Sequence, residues 1–192
     1  SDPQHKFVPF LLLPLQSGSD AVLQKMKRCH SAAEYADEIQ MAFETVPDLC
    51  IGTDLMVGFP EESEAEFEST LKLLEKLPLA YFHVFPFSAR KGTPAFKKKE
   101  QVPPPIKLLR GKKLRSLSSK KRRDFHQRFL GQTRKVLWES RKPDGTISGY
   151  TDNYIRVDLD DTTGSALRNQ ILPTRLTRLL AQSMAGKIIL DA

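Results

Sequence analysis

Leu49-Cys-Ile-Gly-Thr-Asp-Leu-Met-Val-Gly-Phe-Pro-Glu-Glu-Ser-Glu-Ala-Glu66 decides how the first half of the chain folds. Leu49–Phe59 is an apolar run closed by Gly58 and Pro60, and it reads as a buried strand. Ser63 and Glu66 then form a capping box: the serine oxygen and the glutamate carboxylate each satisfy a free N–H of the first helical turn. Phe67, Leu71 and Leu74 line the inner face of the helix that follows. Downstream, Leu79–Phe87 supplies an aromatic-rich strand. Upstream, Ser31-Ala-Ala-Glu34 is a second capping box, opening a helix with Tyr35, Ile39, Ala42, Phe43 and Val46 at 3.6-residue spacing. Before it, Phe7–Leu13 reads as a buried strand. Strand, helix, strand, helix, strand predicts an α/β arrangement with parallel pairing and right-handed crossovers. Three strands make a small open sheet, thin for a finished domain.

Apolar residues make up 40% of the 192 and charged residues 28%, the balance of a folded globular chain rather than a disordered or fibrous one. The longest apolar run, Phe7-Val-Pro-Phe-Leu-Leu-Leu-Pro-Leu15, is too short for a membrane span. It also lacks the starting Met and small-residue cleavage site of a secretion signal. The two cysteines, Cys29 and Cys50, form no Cys-x-x-Cys pair, so a reducing, cytoplasmic setting is expected. His5, His30, His83 and His126 are scattered without metal-ligand spacing, and no metal site is expected on this chain.

The net charge of +7 is uneven. Residues 1–96 carry a net −6, residues 97–135 a net +13, and residues 136–192 are neutral. Acids are almost absent from the basic block, so no internal ion-pair lacing explains it, and it predicts a polyanion-binding seam. Within the block, Ile106, Leu109, Leu114, Leu117, Phe125 and Phe129 recur at helical spacing. Lys112, Lys113, Lys120, Lys121, Arg122 and Arg123 are left to solvent or to phosphates, and Gly131 stops the helix. From Gln132 the pattern changes to short strands. Arg134, Val136 and Trp138 alternate, Pro143-Asp-Gly145 signals a turn, Ile155, Val157 and Leu159 alternate again, and Lys187–Leu190 reads as a closing strand. A small antiparallel barrel is expected. Arg168–Ala185 fits a helix or a loop. The predicted organisation is 1–96, the basic linker helix 97–130, and the barrel 131–192.

Parallel sheets bind ligands at the carboxyl ends of their strands. The first strand ends in Pro14-Leu-Gln-Ser-Gly-Ser-Asp20, a polar turn feeding a helix. The second carries Asp54, an acid in an apolar strand that needs a hydrogen-bonding partner; a satisfied core acid and a functional acid are equally consistent with it. The third runs into Pro86-Phe-Ser-Ala-Arg-Lys-Gly-Thr-Pro94, where Arg90 and Lys91 meet either a phosphate or water.

Pro14-Leu-Gln-Ser-Gly-Ser-Asp with Met26 and Arg28, Asp54-x-x-Val-Gly-Phe-Pro60, and His83-Val-Phe-Pro-x-Ser-x-Arg-x-Gly-Thr-Pro-Ala95 closely resemble the radical-SAM methylthiotransferases of the MiaB type. Gly149-Tyr-Thr-Asp-Asn-Tyr-Ile-Arg-Val157 resembles their RNA-binding TRAM domain. Its Gly-Tyr-Thr-Asp-Asn-Tyr form is most similar to the branch acting on N6-threonylcarbamoyladenosine next to the tRNA anticodon. The resemblance implies the last three strands of a radical-SAM (β/α)6 barrel, a linker helix and an OB-like TRAM barrel. It also implies that S-adenosyl-L-methionine (SAM) is held by Gln16 (ribose or methionyl end), Arg28 (carboxylate), Asp54 (ribose hydroxyls) and Met56 (adenine).

The implied reaction is methylthio insertion at C2 of the modified adenosine. The implied partners are a tRNA anticodon stem-loop, rather than DNA or a membrane, and the missing amino-terminal half of the barrel. Arg90, Lys112, Lys113, Lys120, Lys121, Arg122, Arg123, Arg134, Lys135 and Arg156 are the expected phosphate contacts, with Tyr154, Phe85 or Phe87 stacking on bases. The family's Cys-x-x-x-Cys-x-x-Cys, which holds a [4Fe–4S] cluster, is absent from this sequence. The clusters must therefore be ligated outside this chain, and alone it is expected to have no catalytic residues and no radical activity. Glu61 and Cys29-His30 also depart from the family pattern. The alternative is a stand-alone RNA-binding module in which the half-barrel is a relic.

Overall fold

The computed structural model describes residues 7–141, 145–159 and 167–189; His5, Pro143 and Asp144 of the turn signal, and Leu190 lie outside them. The chain forms two compact units, one of Leu11–Pro47 and Ile51–Lys121, the other drawn from Ser1–Phe10, Asp48–Cys50 and Arg122–Ala192. Three elements, β1 (Phe10–Leu12), β2 (Cys50–Val57) and α4 (Pro104–Gln127), contribute to both.

The first unit is a three-stranded sheet, in the order β1-β2-β3, with β3 at Tyr81–Pro86. β2 and β3 pair in parallel, Asp54 opposite His83 and Met56 opposite Phe85. The helices are α1 (Asp20–Lys25), α2 (Ala32–Thr45) and α3 (Glu64–Lys76). Both capping boxes form as the sequence predicts: Ser31 and Ser63 each accept from the N3 amide, while Glu34 and Glu66 reach back to the cap amide. β2 alternates: Thr53, Leu55 and Val57 are fully buried, whereas Asp54 and Met56 point to the more open face. The buried Thr53 hydroxyl donates to the Leu13 carbonyl (2.7 Å) and accepts from the Leu15 amide (3.0 Å), so no polar atom is stranded there.

β1 departs from expectation. It is three residues long at the sheet edge, and Leu11 and Leu12 are exposed because no element among the described residues covers their side chains.

The second unit is a closed barrel, β4-β5-β6-β8-β7, from β4 (Thr133–Arg141), β5 (Ile147–Thr151), β6 (Arg156–Leu159), β7 (Ile171–Leu179) and β8 (Met184–Ile188). Trp138, Val136, Ile155, Val157, Leu176 and Met184 fill it and are fully buried. Three features correct the sequence reading. The ambiguous stretch is the nine-residue strand β7, the barrel closes three residues earlier than Lys187, and one pair, β6 with β8, is parallel rather than antiparallel.

His126 is buried in this unit, and burial beside the Arg122 cation pushes its pKa down to about 4. The unfolded chain binds that proton near pH 6.5, so stability should fall as pH drops from about 6.5 to 4. His126→Gln should flatten that slope in urea unfolding followed across the same range.

Candidate functional site

The turn after β1 is drawn to the sheet by two backbone bonds: the Gln16 amide donates to Asp54 O (2.8 Å) and the Met56 amide to Gln16 O (2.9 Å). This bridge holds Gln16 at φ +73°, a left-handed conformation that costs a non-glycine residue about 1–2 kcal/mol. Thr70 fixes the same turn from α3, accepting from the Gly18 amide (2.9 Å). Gly18 allows the approach, since a Cβ there would lie 2.7 Å from Thr70 Cα. Ser19 caps α1, and the chain leaves that helix through Lys27 at φ +58°, which brings Lys25–Arg28 beside Gln16.

The result is a cleft of about 400 Å³ lined by Gln16, Lys25–Arg28, Met56, Phe59, Phe87 and Thr93–Ala95. That volume suits a small organic ligand. Its character is divided. Met26, Met56, Phe59 and Phe87 form an apolar wall, with the two phenylalanine rings edge to face at 5.1 Å. Lys27 and Arg28 give the rim two exposed cations that make no ion pair among the described residues. Lys25 is already engaged, donating to Glu61 O (3.0 Å) and Glu66 Oε1 (3.4 Å). Glu61 stands at φ +66°, a conformation that favours glycine.

Gln16, Arg28 and Met56 thus come together in one cavity. Asp54 lies outside its lining, on the same sheet face two residues before Met56; it is half-buried rather than buried, and its partner is His83 Nδ1 at 3.1 Å. Lys27, Phe59 and Thr93 were not singled out from the sequence. The left-handed turn at Lys27 and the curl of Pro94–Lys97 into a 3₁₀ turn capped by Thr93 bring the first and last in, while Phe59 lies just past the end of β2.

No cluster of three or more metal-ligating side chains occurs among the described residues. Iron–sulfur clusters need thiolate ligands. The Cys50 thiol is buried and pushed up to about 12, and Cys29 is exposed. The cysteines present do not fit a cluster.

The basic block divides into two sets. Arg110, Lys113 and Lys121 are occupied, which corrects the expectation that no ion-pair lacing explains the block: the acids come from the segment around α3. Arg110 binds Glu62 and Glu64, and Lys113 lies 3.5 Å from Glu68. Lys121 Nζ donates to the Glu75 and Leu77 carbonyls at the end of α3. Lys112, Arg115 and Lys120 are exposed on α4 and make no ion pair among the described residues; the same holds for Arg90 in its loop. Arg115 belongs to the same stripe by helical spacing and was missed from the sequence.

In the barrel unit, Arg123 and Lys135 are likewise exposed and unpaired among the described residues. Arg134 is held by Asp48 (2.6 Å) and Asp152 (2.7 Å) and lies over the Phe129 ring. Arg122 meets Gln182, and Arg156 meets Ser148 and Asp158. Tyr154, at φ +62°, has one face stacked on Phe10, with ring centroids 4.1 Å apart.

No family model matches the chain. Over 186 residues (96% of the chain), it is 34% identical to a tRNA-2-methylthio-N(6)-dimethylallyladenosine synthase of Ehrlichia chaffeensis. Proteins of the same name match from Protochlamydia amoebophila (41% over 144 residues, 74% of the chain) and Pseudomonas aeruginosa (34% over 189 residues, 89% of the chain). Its homologues are tRNA-2-methylthio-N(6)-dimethylallyladenosine synthases. The chain spans 42% of the length of the Ehrlichia and Pseudomonas synthases and 32% of the Protochlamydia one.

These matches correct the assignment to the threonylcarbamoyladenosine branch, and the barrel explains the error. In Gly149–Tyr154 the Thr151 hydroxyl donates to Asn153 Oδ1 (2.6 Å) and accepts from the Ile155 amide (3.0 Å). Asn153 Nδ2 donates to Asp48 O (3.2 Å). A Cβ at Gly149 would lie 2.4 Å from the Leu137 carbonyl. Gly149, Thr151 and Asn153 of the hexapeptide are thus set by a tight turn and close strand packing, so these positions are no guide to the modified base. Among the described residues no helix is long and apolar enough to cross a membrane.

Proposed function

We propose that this chain is the carboxyl-terminal part of a radical-SAM tRNA methylthiotransferase that inserts a methylthio group at C2 of N(6)-dimethylallyladenosine. Its cleft takes SAM and its basic surfaces take the tRNA. The observation that carries this reading is the convergence of Gln16, Arg28 and Met56 in one divided cleft. An apolar, aromatic wall suits an adenine, and a cationic rim suits the ligand's carboxylate, for which the Arg28 guanidinium fork is the better match. Asp54, oriented by His83, would meet the ribose hydroxyls. When bound, one SAM would supply the radical and a second the methyl group, and the cluster that reduces the first would sit on cysteines outside this chain. The homologues match along nearly the whole chain, strands and barrel alike, which weighs against a barrel that works alone on RNA.

Calorimetric titration with SAM tests the reading. Arg28→Ala should weaken binding about tenfold, the scale of one exposed charge-assisted contact. Unchanged affinity in that variant removes the assignment.

A further inference from the structure

The open face of the sheet continues from Met56 at the cleft into a strip of aromatic and polar side chains. β2 presents Gly52, Asp54 and Met56, and β3 sets Tyr81, His83 and Phe85 directly opposite them. Tyr81 lies over Gly52, where a Cβ would come within 2.7 Å of the ring. The rings of Tyr81 and Phe85 flank His83, with centroids 5.3 and 6.3 Å away. Phe85 is 52% exposed, and the His83 side chain is about as open. A carboxylate only accepts hydrogen bonds, so His83 Nδ1, 3.1 Å from Asp54 Oδ1, is the nitrogen that carries the proton. With Nδ1 turned to Asp54, Nε2 is the ring nitrogen left for a ligand, and in the neutral imidazole it is a lone-pair acceptor. An acceptor set between two aromatic rings suits a flat heterocycle with an N–H on its edge. Proteins hold unpaired bases this way, by stacking the face and hydrogen-bonding the edge.

We infer that this strip is the docking subsite for the target base: an unpaired, N6-monosubstituted adenine lies against Phe85 and donates its N6–H to His83 Nε2. The inference rests on the RNA-modifying reading above and deepens it by placing the substrate base beside, not within, the cofactor cleft. Asp54 serves here as a positioning residue, fixing the His83 tautomer. A base with two N6 substituents has no hydrogen to give and loses the contact.

The test uses this chain and two RNA hairpins that differ at one loop adenine, which carries N6-methyladenosine or N6,N6-dimethyladenosine, with affinity read by fluorescence anisotropy. The chain should prefer the monomethyl hairpin about fivefold, the scale of one neutral hydrogen bond. His83→Ala should erase the preference, and His83→Gln, whose amide oxygen also accepts, should restore part of it. Phe85→Ala should weaken both hairpins by about tenfold and leave SAM affinity unchanged. Equal affinity for the two hairpins, or a preference that survives His83→Ala, overturns the subsite while salt-sensitive hairpin binding keeps the broader reading. Loss of SAM affinity with the preference intact also overturns it and assigns His83 to the cofactor. A chain that binds neither hairpin overturns both.

Discussion

Arg110→Met is expected to destabilise the sheet unit by about 3–5 kcal/mol at neutral pH, the usual result of removing one partner of a buried ion pair. Arg110 is 4% exposed. Its Nη1 donates to the Glu62 carbonyl (3.1 Å) and to Glu62 Oε2 (2.8 Å), and its Nε and Nη2 reach Glu64 Oε2. The guanidinium also lies 5.2 Å from the centre of the Phe67 ring. Methionine replaces the stem and its packing but leaves the Glu62 carboxylate, which is equally buried, with the Gly58 amide (2.7 Å) as its remaining donor.

The pH dependence separates this cause from simple loss of packing. Burial raises the Glu62 pKa, opposed by the Gly58 amide and by Arg110, and removing Arg110 raises it further. A raised carboxyl binds its proton more tightly folded than unfolded, so its stabilising effect is present at low pH and is lost as pH rises through the folded value. The gap between variant and parent should therefore be widest near pH 8 and shrink toward pH 5. His126 titrates in both proteins and cancels in the difference. Urea unfolding at the two pH values measures this, and an equal gap at both would show that the uncompensated carboxylate is not the cause. Arg110→Met combined with Glu62→Leu should recover most of the loss.

What could be read from the sequence follows how local each signal is. The capping boxes at Ser31 and Ser63 formed because their four residues contain both partners. β2 was legible because Leu49–Phe59 is an apolar run closed by Gly58 and Pro60. β7 was not: Pro173 cannot donate to a ladder and argues against a strand, yet the register sets it opposite Lys135, and its carbonyl accepts from the Ile189 amide. The basic block was only half legible, because the acids that hold Arg110 and Lys113 lie more than 40 residues away in sequence. The candidate site divides in the same way. Gln16, Arg28 and Met56 came from motif resemblance, but the left-handed turns at Gln16 and Lys27 that bring them together have no glycine to announce them. The pairing of Asp54 with His83 depends on the parallel register between β2 and β3, which no local pattern encodes.

The affinity of the chain for a tRNA anticodon stem-loop should fall about 100-fold between 50 and 200 mM salt, and the slope should depend on some lysines of α4 but not on others. Each phosphate neutralised on a duplex stem contributes about −0.9 to the slope of log affinity against log salt, so about four contacts give that loss. Lys112, Arg115 and Lys120, exposed on one side of α4, are the cations free to make them, with Arg123 and Lys135 in the barrel unit. Lys112→Ala with Lys120→Ala should therefore make the slope shallower by about 1.8. Lys113 and Lys121 carry the same charge in the same helix, but Lys113 lies over Phe67 and near Glu68, and Lys121 closes the end of α3. Replacing that pair by alanine should lower the unfolding midpoint of the sheet unit and leave the salt slope unchanged. Filter-binding titrations at several salt concentrations distinguish the cases. If both pairs change the slope equally, the helix binds as a diffuse charge and its packing geometry does not select the contacts. If neither does, the phosphate grip lies elsewhere, with Arg123 and Lys135 next to be replaced.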